Sequence, residues 1–300
     1  MRMLILGGTK YLGRHLTEHA LRAGHDVTLF NRGRTGTELF PGVPRLIGDR
    51  TADGDKAGLA ALGTGTWDRV FDFSGFHPRQ VAATAGLLAP RIGQYVFMSS
   101  VAVYPRSDRA GRSEDAPLLP PAADDGEYGN LKVACELAAE EALPGRATSI
   151  RAGLINGPGD PFGAFTSWAL AMAGAGVVPC AARPSQPVQV TDVRDLAAFL
   201  VRAGPGPFNV MPPPMTFAEM LEACRRAGRG TATVRWTEDE NVDDLGGFIV
   251  QPRDGSDDGV FQLSGERARQ AGYVSRPFTE TARDTIEWAV RTKATFTNPH

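Results

Sequence analysis

The 300-residue sequence has little of what marks several large protein classes. It holds only three cysteines, Cys135, Cys180 and Cys224, far apart and with no CxxC pair. An odd, sparse set argues against a disulfide framework and fits reduced thiols in a cytoplasm. There is no surplus of charge of one sign. Lys and Arg number 32 against 34 Asp and Glu, a formal net charge of −2, so nothing marks a binder of nucleic acid or of anionic membranes. Long hydrophobic runs are missing as well: the apolar stretches are broken by Gly, Pro or charge, and none could span a bilayer. Met1 to Leu6 read as a short strand ending in a glycine turn, not as a signal peptide, which makes the cytoplasm the expected location. No repeat or low-complexity tract is present. Hydrophobic residues at 42% and charged residues at 22% are close to ordinary globular usage, which argues against wholesale disorder. The expected partner is a small-molecule substrate, with no nucleic acid and no membrane.

What is there is an alternation of strand and helix signals. Met3–Leu6, Val27–Phe30, Arg45–Ile47, Arg69–Phe73, Tyr95–Met98 and 147–151 read as strands. Leu12, Leu16 and Ala20 share one helical face that Gly24 ends, and 57–62, 78–88 and 127–143 read as further helices. Pro78 takes a first-turn position, where its missing N–H costs nothing. Continuous apolar strands alternating with helices predict an α/β fold with a doubly wound parallel sheet, a Rossmann fold. Past residue 151 the alternation loosens, with helices near 192–203, 216–227 and 277–292. The segments 105–126 and 204–215, rich in Pro and Asp or in Pro, read as loops. The division predicted is a dinucleotide-binding domain over 1–152 and a mainly substrate-binding, smaller α/β lobe over 153–300, some of whose segments return to the sheet.

The first turn, Gly7-Gly8-Thr9-Lys10-Tyr11-Leu12-Gly13, joins a strand to a helix. Such a turn presents backbone N–H groups and a helix N-terminus to a pyrophosphate. In that setting it resembles the GxxGxxG fingerprint of the extended short-chain dehydrogenases/reductases, the NAD-dependent epimerase/dehydratase family, in a subgroup lacking the middle glycine. Lys10 stands at that glycine, where a side chain limits the approach of a pyrophosphate; pointing outward, its ammonium meets a phosphate instead. An NAD-specific site puts a carboxylate at the end of the second strand, to accept from the ribose 2′-hydroxyl. This strand ends Phe30-Asn31-Arg32-Gly33-Arg34, with cations suited to a 2′-phosphate. NADP(H) is therefore the expected cofactor, with NAD(H) as the alternative. The resemblance implies further cofactor contacts from Asp49, after the third strand, and from Phe73-Ser74-Gly75, after the fourth. It also covers 151–160, which contains Leu154, and 190–197.

Tyr128 and Lys132 form YxxxK, which on a helix projects phenol and ammonium from one face. Lys132 is expected to lower the phenol pKa by favouring phenolate and to hold the nicotinamide ribose. Upstream, Tyr95–Met98 runs into Ser99-Ser100 at the carboxyl edge of the sheet, where ligands of such folds bind. Ser100 is expected to hydrogen-bond the substrate oxygen while Tyr128 passes the proton; Ser99 is the alternative hydroxyl. Val101 and Ala102 follow, where related dehydratases carry an acid/base pair, which argues against dehydration. That leaves hydride transfer between nicotinamide and a carbonyl or secondary alcohol, tilted by the NADP expectation to a reductase. The alternatives are a sugar or nucleotide-sugar epimerase with retained NAD, and a non-catalytic RNA-binding or redox-sensing scaffold.

Other features are weaker. His77, Phe165 and Trp168 are candidate substrate contacts. His15-Leu16-Thr17-Glu18-His19 has the HxxEH spacing of some zinc peptidases, but it lies in the first helix and no third ligand is evident, so no metal site is expected. Asp108, Arg109, Glu114 and Asp115 read as a solvated loop. Arg183, Arg194, Arg235 and Arg253 are candidates for a substrate diphosphate. A homodimer through the helices near 78–89 and 127–143 is implied by the resemblance alone.

Overall fold

The apolar runs of the first half become strands of one sheet. The structure, a computed structural model, describes residues 1–50, 56–123, 125–239, 245, 249–294 and 296. The strands are β1 (Arg2–Leu6), β2 (Asp26–Asn31), β3 (Arg45–Ile47), β4 (Trp67–Asp72), β5 (Ile92–Met98), β6 (Ala147–Ala152), β7 (Leu154–Asn156), β8 (Val177–Cys180), β9 (Pro187–Val188), β10 (Val190–Asp192), β11 (Gly206–Val210), β12 (Met215–Thr216) and β13 (Thr233–Trp236). The helices are α1 (Tyr11–Arg22), α2 (Lys56–Leu59), α3 (Pro78–Leu88), α4 (Tyr128–Ala142), α5 (Ala164–Ala173), α6 (Val193–Leu200), α7 (Phe217–Gly228), α8 (Glu266–Gln270) and α9 (Phe278–Thr292).

Seven strands form a parallel sheet in the order β11-β6-β5-β4-β1-β2-β3. The order reverses at β1, next to β4, so the carboxyl edges of these two strands flank the crevice where ligands bind in doubly wound folds. Side chains of β1 alternate between two cores: Met3 and Ile5 pack with α1 and α6, Leu4 and Leu6 with α3 and α4. Burial on both faces is why the run reads as unbroken hydrophobicity. A third core, of Phe165, Trp168, Met172, Phe217, Met220 and Ile286, gathers α5, α7 and α9. Helix α7 starts on a capping box in which Thr216 and Glu219 satisfy each other's backbone N–H.

One expectation is corrected here. The segment 204–215 contains β11, in register with β6 from Gly206↔Thr148 to Val210↔Ala152. Pro207 masks it in the sequence. At the edge of the sheet, however, a proline can leave its missing donor on the open side, and Phe208 and Val210 still reach the core.

Candidate active site

The turn after β1 is built by its glycines. Gly7 has φ +95°, a conformation few side chains adopt. A Cβ on Gly13 would stand 2.2 Å from the Gly7 carbonyl, so only glycine lets α1 close onto the turn. Lys10, at the missing middle glycine, has φ −119° and ψ 140°, an extended conformation open to any residue, and its side chain is exposed. The unusual backbone falls one residue later, on Tyr11 at φ 33°. Such a φ costs ~1–3 kcal/mol and persists only where its surroundings hold it. Here the buried Tyr11 phenol donates to the Ile155 carbonyl at 3.1 Å, and burial raises its pKa well above the ordinary value. Thr9 and Leu12 are buried beneath the turn.

At the end of β2, Asn31 Oδ1 accepts from the Gly33 N–H at 2.9 Å. Asn31 Nδ2 is buried with no hydrogen-bond partner among the described residues. Arg32 and Arg34 are exposed beside it. Asp49, half-buried, follows β3. At the end of β4 the Asp72 carboxylate accepts the Ser74 N–H at 3.0 Å and fixes the turn through Phe73, Ser74 and Gly75. A buried cluster surrounds Asp72: Arg50 lies 2.8 Å away and the Tyr95 hydroxyl donates at 2.6 Å. Burial opposes the carboxylate, but Arg50 and Tyr95 outweigh it and hold the group below its usual range.

The two adjacent serines have different fates. Ser99 is buried and donates to the Glu136 carboxylate, which Arg151 grips with two nitrogens, at 3.0 and 2.7 Å. Ser100 Oγ accepts the Ala102 N–H at 3.1 Å, which caps the 3-10 turn over 101–103 and leaves the Ser100 hydroxyl hydrogen free to donate. Tyr128 opens α4 and stands half-exposed (48%). The helix can come this close because residue 129 is glycine: a Cβ there would lie 2.2 Å from the Ala102 carbonyl. Lys132 is buried, and its ammonium donates to the carbonyls of Gly75 and Met98, both at 2.9 Å. The rings of Phe97, Phe76 and Tyr128 lie 4.7, 5.0 and 5.7 Å from it. Burial pushes Lys132 down to about 8.

The Tyr128 pKa is raised, by burial, against which a hydrogen bond with Ser100 acts. The ammonium is turned to two carbonyls rather than to the phenol oxygen. What stands ready is a protonated phenol beside a serine hydroxyl, with a desolvated ammonium one helical turn on.

Other expected site residues lie elsewhere. Phe165 and Trp168 are fully buried and pack in the lobe core, with Trp168 edge-on to Phe217 at 5.4 Å, so neither presents a surface to a substrate. Leu154 is buried on β7, paired with β10. His77 precedes α3, half-buried, next to the exposed Phe76. His15 lies 2.8 Å from the Pro158 carbonyl and ties α1 to the loop after β7. Glu114, read as solvated, is buried, because its carboxylate accepts the Asn209 N–H of β11 at 2.8 Å. Arg183 pairs with Asp258, Arg194 with Asp192 and Asp284, and Arg253 with the carbonyls of Ala181 and Thr237. Arg235 is exposed.

Sequence reasoning missed Glu136, Arg50, Asp72 and Tyr95. A signal for Glu136 existed: Tyr128, Lys132 and Glu136 recur every fourth residue, a polar stripe on the inward face of α4.

No family model matches the chain. It is 30% identical over 252 residues to the chloroplast stem-loop binding protein of 41 kDa b of Arabidopsis thaliana, covering 76% of this chain and 63% of that protein. It is 29% identical over 158 residues to a UDP-glucose 4-epimerase of Corynebacterium glutamicum, 46% of this chain and 45% of that one. The chain thus spans less than two thirds of either curated relative. Among solved structures, the UDP-glucose 4-epimerase of Thermus thermophilus in complex with NAD superposes with a TM-score of 0.68, at 20% identity over 96% of this chain and 98% of that one. This likeness carries the fold, the doubly wound arrangement expected from the sequence.

Proposed function

We propose that the protein is a nicotinamide-dependent enzyme of the extended short-chain dehydrogenase/reductase type, acting on a carbonyl or secondary alcohol of a small molecule. The observation that carries this reading is the convergence of Ser100, Tyr128 and Lys132 at the carboxyl edge of the sheet, beside a glycine turn built for a pyrophosphate. The residues present fit the cofactor: Gly7 makes the turn and Gly13 lets the N-terminus of α1 close onto it, Asn31 holds a buried donor without a partner among the described residues, and Lys132 has one N–H left after its two carbonyls. A bound nicotinamide dinucleotide supplies a group that gives or takes a hydride at the carbinol carbon.

The side chains handle the proton and the orientation. Ser100 donates to the substrate oxygen. Tyr128, protonated at neutral pH because a phenol ordinarily titrates near ~10, gives a proton to a developing alkoxide or recovers one from an alcohol. Lys132 holds the nicotinamide ribose and keeps positive charge near the phenol. Of the two outcomes, epimerisation now has more support than the reductase expectation, since relatives and structural neighbours include UDP-glucose 4-epimerases. The cations at the end of β2 support NADP(H), against the NAD of the neighbours.

Calorimetric titration with NADPH and, separately, NADH tests both points. Tighter NADPH binding supports the assignment of Arg32 and Lys10; NAD that copurifies supports an epimerase. In Tyr128→Phe, cofactor affinity is expected to persist while turnover falls ~10²- to 10⁴-fold; unchanged turnover would overturn the mechanism. The Arabidopsis relative is named for binding a stem-loop, and a second reading in keeping with that name is an RNA-binding scaffold. Salt-dependent RNA binding, indifferent to NADPH, would put that reading first.

A further inference from the structure

Beneath the candidate site lies a charge pair for which a packed core has no need. Arg50 and Asp72 meet at 2.8 Å with side chains 5% and 0% exposed, and Tyr95, also fully buried, donates to the same carboxylate. Stripping two ions of water is costly before their attraction is counted, and an apolar pair of similar volume often stabilises a core as well or better. The pair lies on the path to Lys132. Asp72 Oδ1 accepts the Ser74 N–H, and Oδ2 lies 2.9 Å from where a Gly75 Cβ would be. The Gly75 carbonyl is in turn one of the two acceptors of the Lys132 ammonium.

We propose that the Arg50–Asp72–Tyr95 triad positions Lys132: the carboxylate orients the turn whose carbonyl holds the ammonium and favours its charged form, and Arg50 opposes that charge. Asp72 is thus a positioning residue, and its role in turnover rests on the function proposed above. Several other groups face Lys132. On its own helix these are Tyr128, Cys135 and Glu136; behind Glu136 stands Arg151 of β6. Asp72 comes from β4, Arg50 from the segment after β3, and Tyr95 from β5. Glu136, in the two-nitrogen grip of Arg151, also favours the charged ammonium. Asp72 and Arg50 act on it from the sheet as opposed levers.

The sequence offers a direct test, because Lys132 is one of only four lysines, with Lys10, Lys56 and Lys293. In protein labelled with 13C-lysine, the Lys132 Cε resonance, assigned through Lys132→Arg, reports its titration without substrate or cofactor. Asp72→Asn is expected to lower the proton affinity of Lys132 tenfold or more, and Arg50→Gln to raise it. The other three lysines should not move. Shifts in the same direction, or none, with the other lysines unchanged, would overturn the proposal and leave the triad a structural tie. Should Asp72→Asn not fold, since it strands a buried guanidinium, the double variant Arg50→Gln with Asp72→Asn strands no charge. Its Lys132 is expected below wild type, because the carboxylate is the stronger of the two levers and also orients the turn that holds the ammonium, and a wild-type titration would count against the proposal. NADPH and NADH are then added to the wild-type protein. A Lys132 resonance that responds to the triad variants but to neither nucleotide would sink the functional reading and leave this inference standing.

Discussion

Ser99 and Ser100 are neighbours with the same hydroxyl, yet only one is free to act. The pleat sends Ser99 inward to Glu136, whereas Ser100 caps a turn at the sheet edge and keeps its hydrogen. Two variants should therefore differ in kind. Ser100→Ala is expected to keep its cofactor affinity, to give up the cap on the Ala102 N–H at ~0.5–2 kcal/mol, and to lose turnover ~10²-fold, as for loss of one positioned donor. Ser99→Ala leaves one Glu136 oxygen short of a donor and is expected to lower stability by ~1–3 kcal/mol, read from the denaturant midpoint. If Ser99→Ala carried the larger loss of turnover at unchanged stability, the roles would be reversed. At this scale the sequence was legible where chemistry sits within one motif. YxxxK and the strand-end serines point to Tyr128, Lys132 and Ser100 because spacing alone sets them on one face. The pairs Arg50–Asp72 and Glu136–Arg151 were not legible, since each joins residues brought together only by the sheet order. The net upward shift of Tyr128 was not legible either, since it comes from burial in the fold, and the direction of the Lys132 ammonium depends on two carbonyls that no spacing rule locates.

At the scale of elements, two glycines set how closely helices approach the site. Gly13 lets α1 meet the first turn, and Gly129 lets α4 meet the 3-10 turn after Ser100; an added Cβ would lie 2.2 Å from a backbone oxygen in each case. Neither oxygen belongs to a flexible side chain that could swing aside. Gly129→Ala is expected to cost ~1–3 kcal/mol, as overpacking does, and to push Tyr128 away from Ser100. Turnover should then fall while nucleotide affinity, set at the other glycine, changes little. Gly13→Ala should do the converse and weaken nucleotide binding, a contrast that one pair of titrations and one assay would check. The parallel strands and their helices were readable because burial on both faces leaves no polar interruption. Strand β11 was not, because Pro207 and the flanking prolines carry a loop signal that only the position at the sheet edge overrides. Glu114 misled for a related reason: in a Pro- and Asp-rich segment a carboxylate reads as solvated, and only β11 supplies the backbone N–H that buries it.

For the whole molecule, α1 ties the first turn of the sheet to the chain beyond β6. Tyr11 and His15 of α1 reach Ile155 of β7 and Pro158 after it, so the glycine turn and the start of the second half are held by the same helix. The buried charges then set how the fold as a whole responds to pH. Lys132 titrates in the folded protein at about 8, below its ordinary range, because burial penalises the ammonium. Between that value and the unfolded pKa near ~10.4 this lysine binds more protons in the unfolded chain than in the folded one, so its own contribution to stability rises with pH across this window. The penalty is fully present below pH ~8 and relieved above it. Asp72 acts in the opposite range: its folded pKa is depressed, so its stabilisation is present above the unfolded value near ~3.9 and lost as pH falls below it. Buried Tyr11, Tyr95 and Cys224, whose pKa values burial raises, pull stability the other way toward pH 10, so the expected readout is a difference: the denaturant midpoint of the unliganded wild type should gain on that of Lys132→Met from pH 7 to 10. In the wild type NADPH, if it binds the charged ammonium, should stabilise the fold less as pH rises through about 8. A difference between wild type and Lys132→Met that stays level between pH 8 and 10 would mean that the ammonium is better solvated than its two carbonyls and three rings allow.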